Sequence, residues 1–508
     1  MKDAYRRSVS GDNELVSIIS GPSGSGKTLL AYEFGNHVIL DGGMFLSGKF
    51  DQLQQGKPFS ALASAFNQHC DILLQNSALA PTREKFANEV KSSLGRDAYL
   101  LAILIPNLAT ILGLQVFDNI THDIDHDNAQ KRLQYLLCRF VDVMCSVFTA
   151  PVALFLDDLQ WADAASIAAV NQLIYSAGVS SQNTRFFFLG CYRAEEEINE
   201  DHPVSKLLCN VGALSVGCTH VKLDYMEEDT LNMMVSDTLH LSPRITRPLS
   251  SVIYHKTKGN PLFISRLMAS LSKEGLLRLN LSRRRWEWDL DKIRCQKLPD
   301  DVAKFLMQSI EALPEDVKSS LFVLSCFGAW SNVSLLELLD RSLDLKLLDN
   351  LDIAADEGLI DKRNGQYRFC HDRIQEAAYK MTEPQYQCLR HFKYGMELAQ
   401  VSQLIYGDAY LFTAVNQLNL GGPKAVQEDG DYVKVANLNL KAGKKALEMS
   451  DYVTAYRYFD HGITFLRKKH WEEHYGLSLE LYDLAAKCAL AKGDVDVLNL
   501  LSQQVLMK

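Results

Sequence analysis

Patterned cysteine is the clearest absence from this 508-residue chain: its 11 cysteines form no CxxC pair and no metal-like spacing. An odd, scattered set excludes a disulfide scaffold and points to reduced thiols and a cytoplasmic setting. Long hydrophobic runs are also missing. No stretch approaches the roughly 20 apolar residues that span a bilayer, and the start, Met1-Lys2-Asp3-Ala4-Tyr5-Arg6-Arg7, is charged and lacks a signal-peptide apolar core. The apolar stretch 103–114 is short and contains Pro106 and Asn107, which predicts a buried core helix. Excess positive charge is absent too. A formal net charge of −9 argues against broad adhesion to nucleic acid or anionic membrane. What remains, 47% apolar and 23% charged residues, is ordinary for a soluble globular protein. The length predicts about three or four domains.

The most informative stretch is Gly21-Pro22-Ser23-Gly24-Ser25-Gly26-Lys27-Thr28. Gly, four residues, then Gly-Lys-Ser/Thr is the phosphate-loop pattern, and here it follows the apolar run Leu15-Val16-Ser17-Ile18-Ile19 and precedes the amphipathic Leu29-Leu30-Ala31-Tyr32-Glu33-Phe34. Strand, loop and helix are the context the pattern requires. Its glycines let successive backbone N–H groups turn toward a phosphate, and the helix start adds partial positive charge. Lys27 is expected to reach the β- and γ-phosphates, and the Thr28 hydroxyl to ligate Mg²⁺.

Residues 1–215 alternate strand-like and helical patterns, with strands expected at 15–20, 43–49, 152–156 and 185–192. Residues 81–127 break the rhythm as a helical insertion. Val152-Ala153-Leu154-Phe155-Leu156 ends in Asp157-Asp158, as a buried parallel strand does when it emerges into a ligand crevice. Asp157 is expected to hold Mg²⁺ through water, and Asp158 to polarise a water attacking the γ-phosphate. Two acids favour a hydrolytic or switching ATPase over a small-molecule kinase. The strand 185–192 leads into Arg193, either a γ-phosphate sensor or a partner of Glu195, Glu196 and Glu197.

Asp157-Asp158-Leu159-Gln160-Trp161-Ala162-Asp163 resembles the hallmark of the AAA-related signal-transduction ATPases with numerous domains (STAND), closest to the Orc1-like modules inside multi-sensor kinases, transcription activators and cyclases. Gly48-Lys49-Phe50-Asp51-Gln52 and Pro58-Phe59-Ser60-Ala61-Leu62 resemble the region after the second strand in those kinases. The resemblance implies that Trp161 and Asp163 shape the loop beside the metal; a packing aromatic and a helix N-cap are the plain alternatives. It also makes Lys258-Gly259-Asn260-Pro261-Leu262-Phe263 the opening of a helical lid in which Pro261 packs on adenine. By its own chemistry that segment is a Gly-Asn-Pro turn starting a helix.

Residues 224–288 read as helical throughout, and a compact helical domain with a β-wing follows. An Asn364-Gly365 turn predicts a hairpin over 359–369, leading into Cys370-His371-Asp372-Arg373. This end resembles the winged-helix terminus of the family, which implies that His371 holds the β-phosphate of ADP; otherwise His371 packs and Asp372 caps. Val415-Asn416-Gln417-Leu418-Asn419 resembles the helix before the family's repeats. Residues 440–456 and 484–494 suggest two tetratricopeptide-like units, with small residues at helix crossings. The wing carries Lys362 and Arg363 but no dense basic helix, and no His-Arg-Asp or Asp-Phe-Gly kinase motif occurs.

The expected architecture is therefore an α/β P-loop NTPase core with a mostly parallel sheet (1–215), an all-α lid (216–297), a winged-helix domain (298–385) and α-helical TPR-like repeats (386–508). The short helix expected at 2–8 leaves no room for the segment that clasps adenine in family members, and the repeat array stops uncapped. Both suggest a fragment of a longer signalling protein. The expected function is an ATP/ADP- and Mg²⁺-dependent switch with slow hydrolysis. Its repeats would bind protein partners, its kinase or cyclase output would lie elsewhere, and nucleotide would control any homo-oligomer. Alternatives are a scaffold with a vestigial ATPase core and an origin-recognition-like, DNA-associated ATPase.

Overall fold

A computed structural model describes residues 1–12, 14–50, 59–114, 129–179, 185–194, 202–213, 216–280, 282, 285–295, 302–343, 346–363, 365–401, 410–448, 452–491 and 494–506. Expectations placed on Asp51, Gln52, Pro58, Glu195, Glu196, Glu197, Asn364, Ser450, Asp451 and Gly493 lie outside these residues, as does the end of the expected insertion at 115–127.

Five parallel strands form the first sheet: β1 (Glu14–Gly21), β2 (Met44–Lys49), β3 (Val152–Asp157), β4 (Phe186–Arg193) and β5 (Gly217–Lys222), in the order β2-β3-β4-β1-β5. Apolar runs form β1, β3 and β4 because parallel strands covered on both faces bury nearly every side chain. Alternate residues go to opposite layers. Ile19, Phe155, Phe187 and Leu189 pack under α1 (Lys2–Val9) and α2 (Lys27–Leu40), where Tyr5 meets Phe34 and Phe187 edge-on. Ile18, Leu154, Leu156 and Phe188 face the other layer, built from α3 (Ser60–Gln75), α4 (Ala80–Leu94), α5 (Ala98–Leu104), α6 (Pro106–Leu112), α7 (Ala129–Phe148), α8 (Ala164–Val179) and α9 (Pro203–Ala213).

Three expectations need correction. The sheet runs to Lys222, past the boundary drawn at 215; β5 is an edge strand with a mostly exposed, half-buried pattern, so it carries no apolar run. The stretch 103–114 is not one helix. Pro106 starts α6 and holds Ile105 at φ −119° and ψ 88°, outside the helical region, so α5 stops there. The region 224–288 is not helical throughout either. After α10 (Glu228–Leu239), α11 (Pro243–Thr257) and α12 (Pro261–Lys273), the chain forms an antiparallel hairpin of β6 (Leu277–Asn280) and β7 (Arg285–Trp288). Its Trp286 and Trp288 pack at the edge of the lid core of Leu231, Val235, Leu249, Ile253, Phe263 and Leu267.

The winged-helix domain follows α13 (Leu290–Cys295). It comprises α14 (Val302–Glu311), α15 (Glu315–Cys326), β8 (Trp330–Asn332), α16 (Val333–Leu343), α17 (Leu347–Asp356), β9 (Ile360–Arg363), β10 (Gln366–Phe369) and α18 (Asp372–Lys380). The expected hairpin is β9–β10, and β8 pairs with its outer side as a third strand. Beyond it lie α19 (Pro384–Val401), α20 (Leu411–Gly421), α21 (Asp429–Glu448), α22 (Tyr452–Thr464), α23 (His470–Glu473), α24 (Tyr475–Ala491) and α25 (Val495–Leu506). Small residues do mark the helix crossings: a Cβ on Gly443 would strike the Phe459 ring, and one on Gly462 would strike Leu481. One continuous apolar core, from Leu306 to Leu501, joins the winged helix to these helices.

Candidate nucleotide site

The strand ends assemble the site. Gly21 of β1 lies beside Arg193 of β4, and Lys49 of β2 beside Asp157 of β3. From Gly21 the chain turns through Gly24 (φ +80°) and Gly26 (φ +92°), left-handed values that explain glycine at both positions. Lys27 opens α2 and folds back, its Nζ donating to the carbonyls of Gly21 (2.9 Å) and Pro22 (2.8 Å). Burial lowers the pKa of this ammonium, against the pull of Asp158 and Asp157. Thr28 Oγ1 donates to Asp157 Oδ2 at 2.8 Å, while Asp157 Oδ1 accepts the Asp158 N–H at 3.0 Å.

This donor set fits Mg²⁺ and a nucleotide phosphate. Thr28 and Asp157 present the hydroxyl and carboxylate that such an ion uses, already in contact. Ser25 Oγ is buried within the loop and finds no hydrogen-bond partner among the described residues, as suits a group that meets a ligand oxygen.

Around this centre runs a charged network. Asp158, in a left-handed conformation (φ 54°), accepts from Gln160 Nε2 at 2.8 Å and pairs with Lys49 at 3.0 Å and Arg193 Nε at 3.6 Å. Gln160 Oε1 in turn accepts the Arg193 N–H at 3.1 Å. The same two cations reach across to α18. Lys49 also pairs with Asp372, and Arg193 pairs with Asp372 at 2.9 Å and with Glu376 at 3.2 Å. Arg373 bonds Glu376 (3.0 Å) and reaches Ser23 Oγ of the phosphate loop (3.1 Å).

Burial pushes the Asp158 carboxyl up to about 7, against the pull of Lys49 and with a further push from Asp372 and Asp157. Burial also works to raise Asp372, but Lys49, His371 and Arg193 together hold it well below the carboxylate range. The two carboxyls share their cations, so they titrate as a pair. Burial likewise opposes the charge on Lys49, yet the acids around it keep its pKa well above the usual value.

His371 is the N-cap of α18: its Nδ1 accepts the Arg373 N–H at 3.1 Å. Burial pushes its imidazole down to about 4, with Lys49, Arg193 and Lys27 adding to the effect against Asp372. The capping role considered for Asp372 therefore belongs to His371. Asp372 is the first helical residue and turns its carboxylate to Lys49 and Arg193, where two cations outweigh one backbone N–H.

Residues 1–183 match the family model of the AAA ATPase domain. That match bears out the AAA-type resemblance drawn from the Asp-Asp segment, and the sheet continues through β4 and β5 beyond the matched span. Among curated proteins, the chain is similar to hybrid signal transduction histidine kinase G of Dictyostelium discoideum, 22% identical over 612 aligned residues. The alignment covers 94% of this chain but 17% of that kinase, so the chain spans about a sixth of its relative's length. Among solved structures it resembles a STAND protein with a tetratricopeptide repeat sensor from Pyrococcus horikoshii (13% identity, TM-score 0.38, 98% of this chain and 70% of that one). A Walker-type ATPase from Pyrococcus abyssi also matches (11% identity, TM-score 0.30, 74% and 95%). These two likenesses add nothing to what the domain match establishes.

The expected nucleotide-site residues lie together at the carboxyl edge of the parallel sheet: the loop Gly21 to Thr28, Asp157, Asp158, Arg193, and, from later in the chain, Pro261 and His371. Pro261 opens α12 between Asn260 and Leu262, both of which touch the loop. Trp161 packs, partly buried, against the apolar core on the α3–α9 side of the sheet, while Asp163 caps α8 through the Ser166 N–H. The plain alternatives describe both. Sequence reasoning missed Lys49, Gln160, Asn260, Asp372, Arg373 and Glu376 as site residues. The rule that singled out Asp157 and Arg193, a charged residue ending a buried strand, also finds Lys49. No helix of the described residues is long and apolar enough to cross a membrane.

Proposed function

We propose that the chain is a nucleotide-dependent switch, with ATP or ADP and Mg²⁺ held between the AAA core and the lid and the winged helix holding the ADP-bound, resting form. The observation that carries this reading is the double use of Lys49 and Arg193: at the strand ends Arg193 lies beside Gly21 of the phosphate loop and Lys49 beside Asp157, and both are engaged by Asp372. Bound ATP supplies a γ-phosphate whose negative charge calls on the same cations. Docking of α18 and binding of ATP then compete, whereas ADP leaves the cations to α18.

The other residues take supporting parts. Lys27 binds phosphate oxygens once it leaves the Gly21 and Pro22 carbonyls; Thr28 and Asp157 hold the metal. Asp158 is the proton acceptor for water, but its hold on Lys49 and Gln160 restrains it while α18 is docked, so hydrolysis is slow. His371 accepts the Arg373 N–H at Nδ1, which leaves Nε2 to carry its proton and donate to the β-phosphate of ADP. Pro261 packs on the adenine. The AAA core, lid, winged helix and helical repeats act as successive units, with the repeats receiving a protein partner. The similarity to a hybrid histidine kinase supports a regulatory module whose output is a kinase domain, in a cytoplasmic setting. The net charge of −9 speaks against the DNA-associated alternative.

The test is the nucleotide content of freshly purified protein, released by denaturation and identified by chromatography, together with ATP turnover. Tightly held ADP and turnover well below about 1 per second are expected. Lys27→Ala is expected to abolish binding, a loss of at least about 100-fold. Protein that holds no nucleotide and shows no ATP affinity would favour the vestigial scaffold.

A further inference from the structure

The phosphate loop is held from outside by a helix that belongs to the lid. Asn260, buried, caps α12: its Oδ1 accepts the Phe263 N–H at 3.1 Å. A cap needs only that one acceptor. Asn260 does more, because its Nδ2 donates to the carbonyl of Ser23 at 3.2 Å, 237 residues earlier in the chain. Beside it, the Leu262 N–H points at the carbonyl of Gly24 at 3.4 Å. The fit is close: a Cβ at Gly24 would come within 2.8 Å of Asn260 Oδ1 and 3.1 Å of Nδ2.

The carbonyls of four successive loop residues are therefore tied down by two different parts of the protein. Lys27 takes those of Gly21 and Pro22, from within the core. Asn260 and Leu262 take those of Ser23 and Gly24, from the lid. In a trans peptide the C=O and the following N–H point in opposite directions. Holding the Ser23 carbonyl toward α12 turns the Gly24 N–H to the other side, into the concave face where backbone N–H groups gather around an anion. Asp and Ser would cap α12 as well as Asn does. Neither offers an amide N–H to the Ser23 carbonyl.

We infer that Asn260 is a positioning residue of the nucleotide site: through its amide the lid orients the Ser23–Gly24 peptide for the diphosphate of ADP or ATP. The inference rests on the nucleotide-binding reading above. It also gives the winged helix a second route to the loop, since further along α12 Arg266 donates to the Gly358 carbonyl at 2.6 Å and Lys273 pairs with Glu357. One rigid helix links the turn after α17 to the backbone that holds phosphate.

The experiment compares wild type, Asn260→Ser, Asn260→Ala and Lys27→Ala in the full chain, stripped of nucleotide. It reads thermal unfolding, ADP affinity by calorimetry and dissociation of a fluorescent ADP analogue. Asn260→Ser keeps a cap acceptor and loses the reach to Ser23. It is expected to unfold within about 2 °C of wild type yet bind ADP about tenfold more weakly, with a matching rise in dissociation rate. Asn260→Ala is expected to show the same loss of affinity plus a lower melting temperature. Wild-type affinity in Asn260→Ser, while Lys27→Ala fails to bind, would overturn the role of Asn260 and leave the nucleotide site standing. A wild type that itself binds no ADP would overturn both.

Discussion

Helix α18 is buried at both ends against polar groups, and the two ends are built differently. Its first turn sets Asp372 and Glu376 against Lys49 and Arg193, a cluster made wholly of charge. Near its last turn Tyr379 meets His391 of α19 (2.9 Å), His391 meets Gln417 of α20 (2.6 Å), and Gln417 Nε2 donates to the Cys326 carbonyl (2.7 Å). That chain has no formal charge. Because the Gln417 amide nitrogen is used on Cys326, its oxygen faces His391 Nδ1, which carries the proton, and Nε2 accepts from the Tyr379 hydroxyl. Burial lowers the pKa of this imidazole, against the hydrogen bond it donates to Gln417. A charged cluster repays its desolvation only while every partner is in place, and any newcomer of the right sign can replace one of them. A neutral chain of satisfied donors and acceptors has no such competitor. The contrast gives α18 one releasable end and one fixed end, so the winged helix is expected to move with the repeats, as their shared core also requires.

The largest effect is expected from breaking the fixed end. His391→Ala removes a buried ring and strands both the Tyr379 hydroxyl and the Gln417 oxygen, which should cost about 2–4 kcal/mol of stability. Chemical denaturation measures it, with ADP affinity below the transition within about twofold of wild type. A tenfold change in ADP affinity would break the comparison, because it would show that the two ends of α18 are not independent.

A smaller loss is expected at the releasable end. Removing one member of a buried ion pair usually costs about 3–5 kcal/mol, but after Asp372→Ala both cations keep Asp158, and Arg193 keeps Glu376. About 1–2 kcal/mol is left, or roughly a five- to thirtyfold faster release of ADP. Stopped-flow release of a fluorescent analogue reads it directly. Unaltered release would mean that Asp372 holds the winged helix in place without holding nucleotide.

How much of this was legible in the sequence depends on how local its cause is. The phosphate loop and the Asp157-Asp158 strand end carry their chemistry within a few consecutive residues, and β1, β3 and β4 announce themselves as apolar runs because both faces are covered. Strand β5 does not, since an edge strand half in solvent needs no apolar residues. The three-residue β8 is recruited only by its pairing with β10. His371 and Asp372 were singled out as a pair, but which one caps and which one pairs is decided by Lys49, 323 residues away from Asp372 in the chain. Asn260 was hidden differently. Its capping role is visible in the Gly-Asn-Pro turn, and a residue with one evident job gives no sign of a second.

The smallest expected effect is a dependence on pH, and it separates the two ends of α18 once more. Two groups at the charged end oppose each other. His371 is lowered from 6.5 to about 4, so its undocked form takes up a proton first; its support for docking is whole above about 6.5 and fades as pH falls toward 4. Asp158, titrating as a pair with Asp372, is raised to about 7 by burial first and by Asp372, so its contribution is present at low pH and is lost as pH rises through 7. Near neutrality the two slopes partly cancel, leaving ADP release to vary by only about two- to threefold between pH 7.5 and 5.5. His371→Gln keeps a side-chain acceptor and removes one slope. In that variant, release is expected to slow steadily as pH falls, because the Asp158 trend then stands alone. If the wild-type and His371→Gln profiles run parallel over this range, His371 does not titrate with docking, and its lowered pKa belongs to the fixed packing of the winged helix.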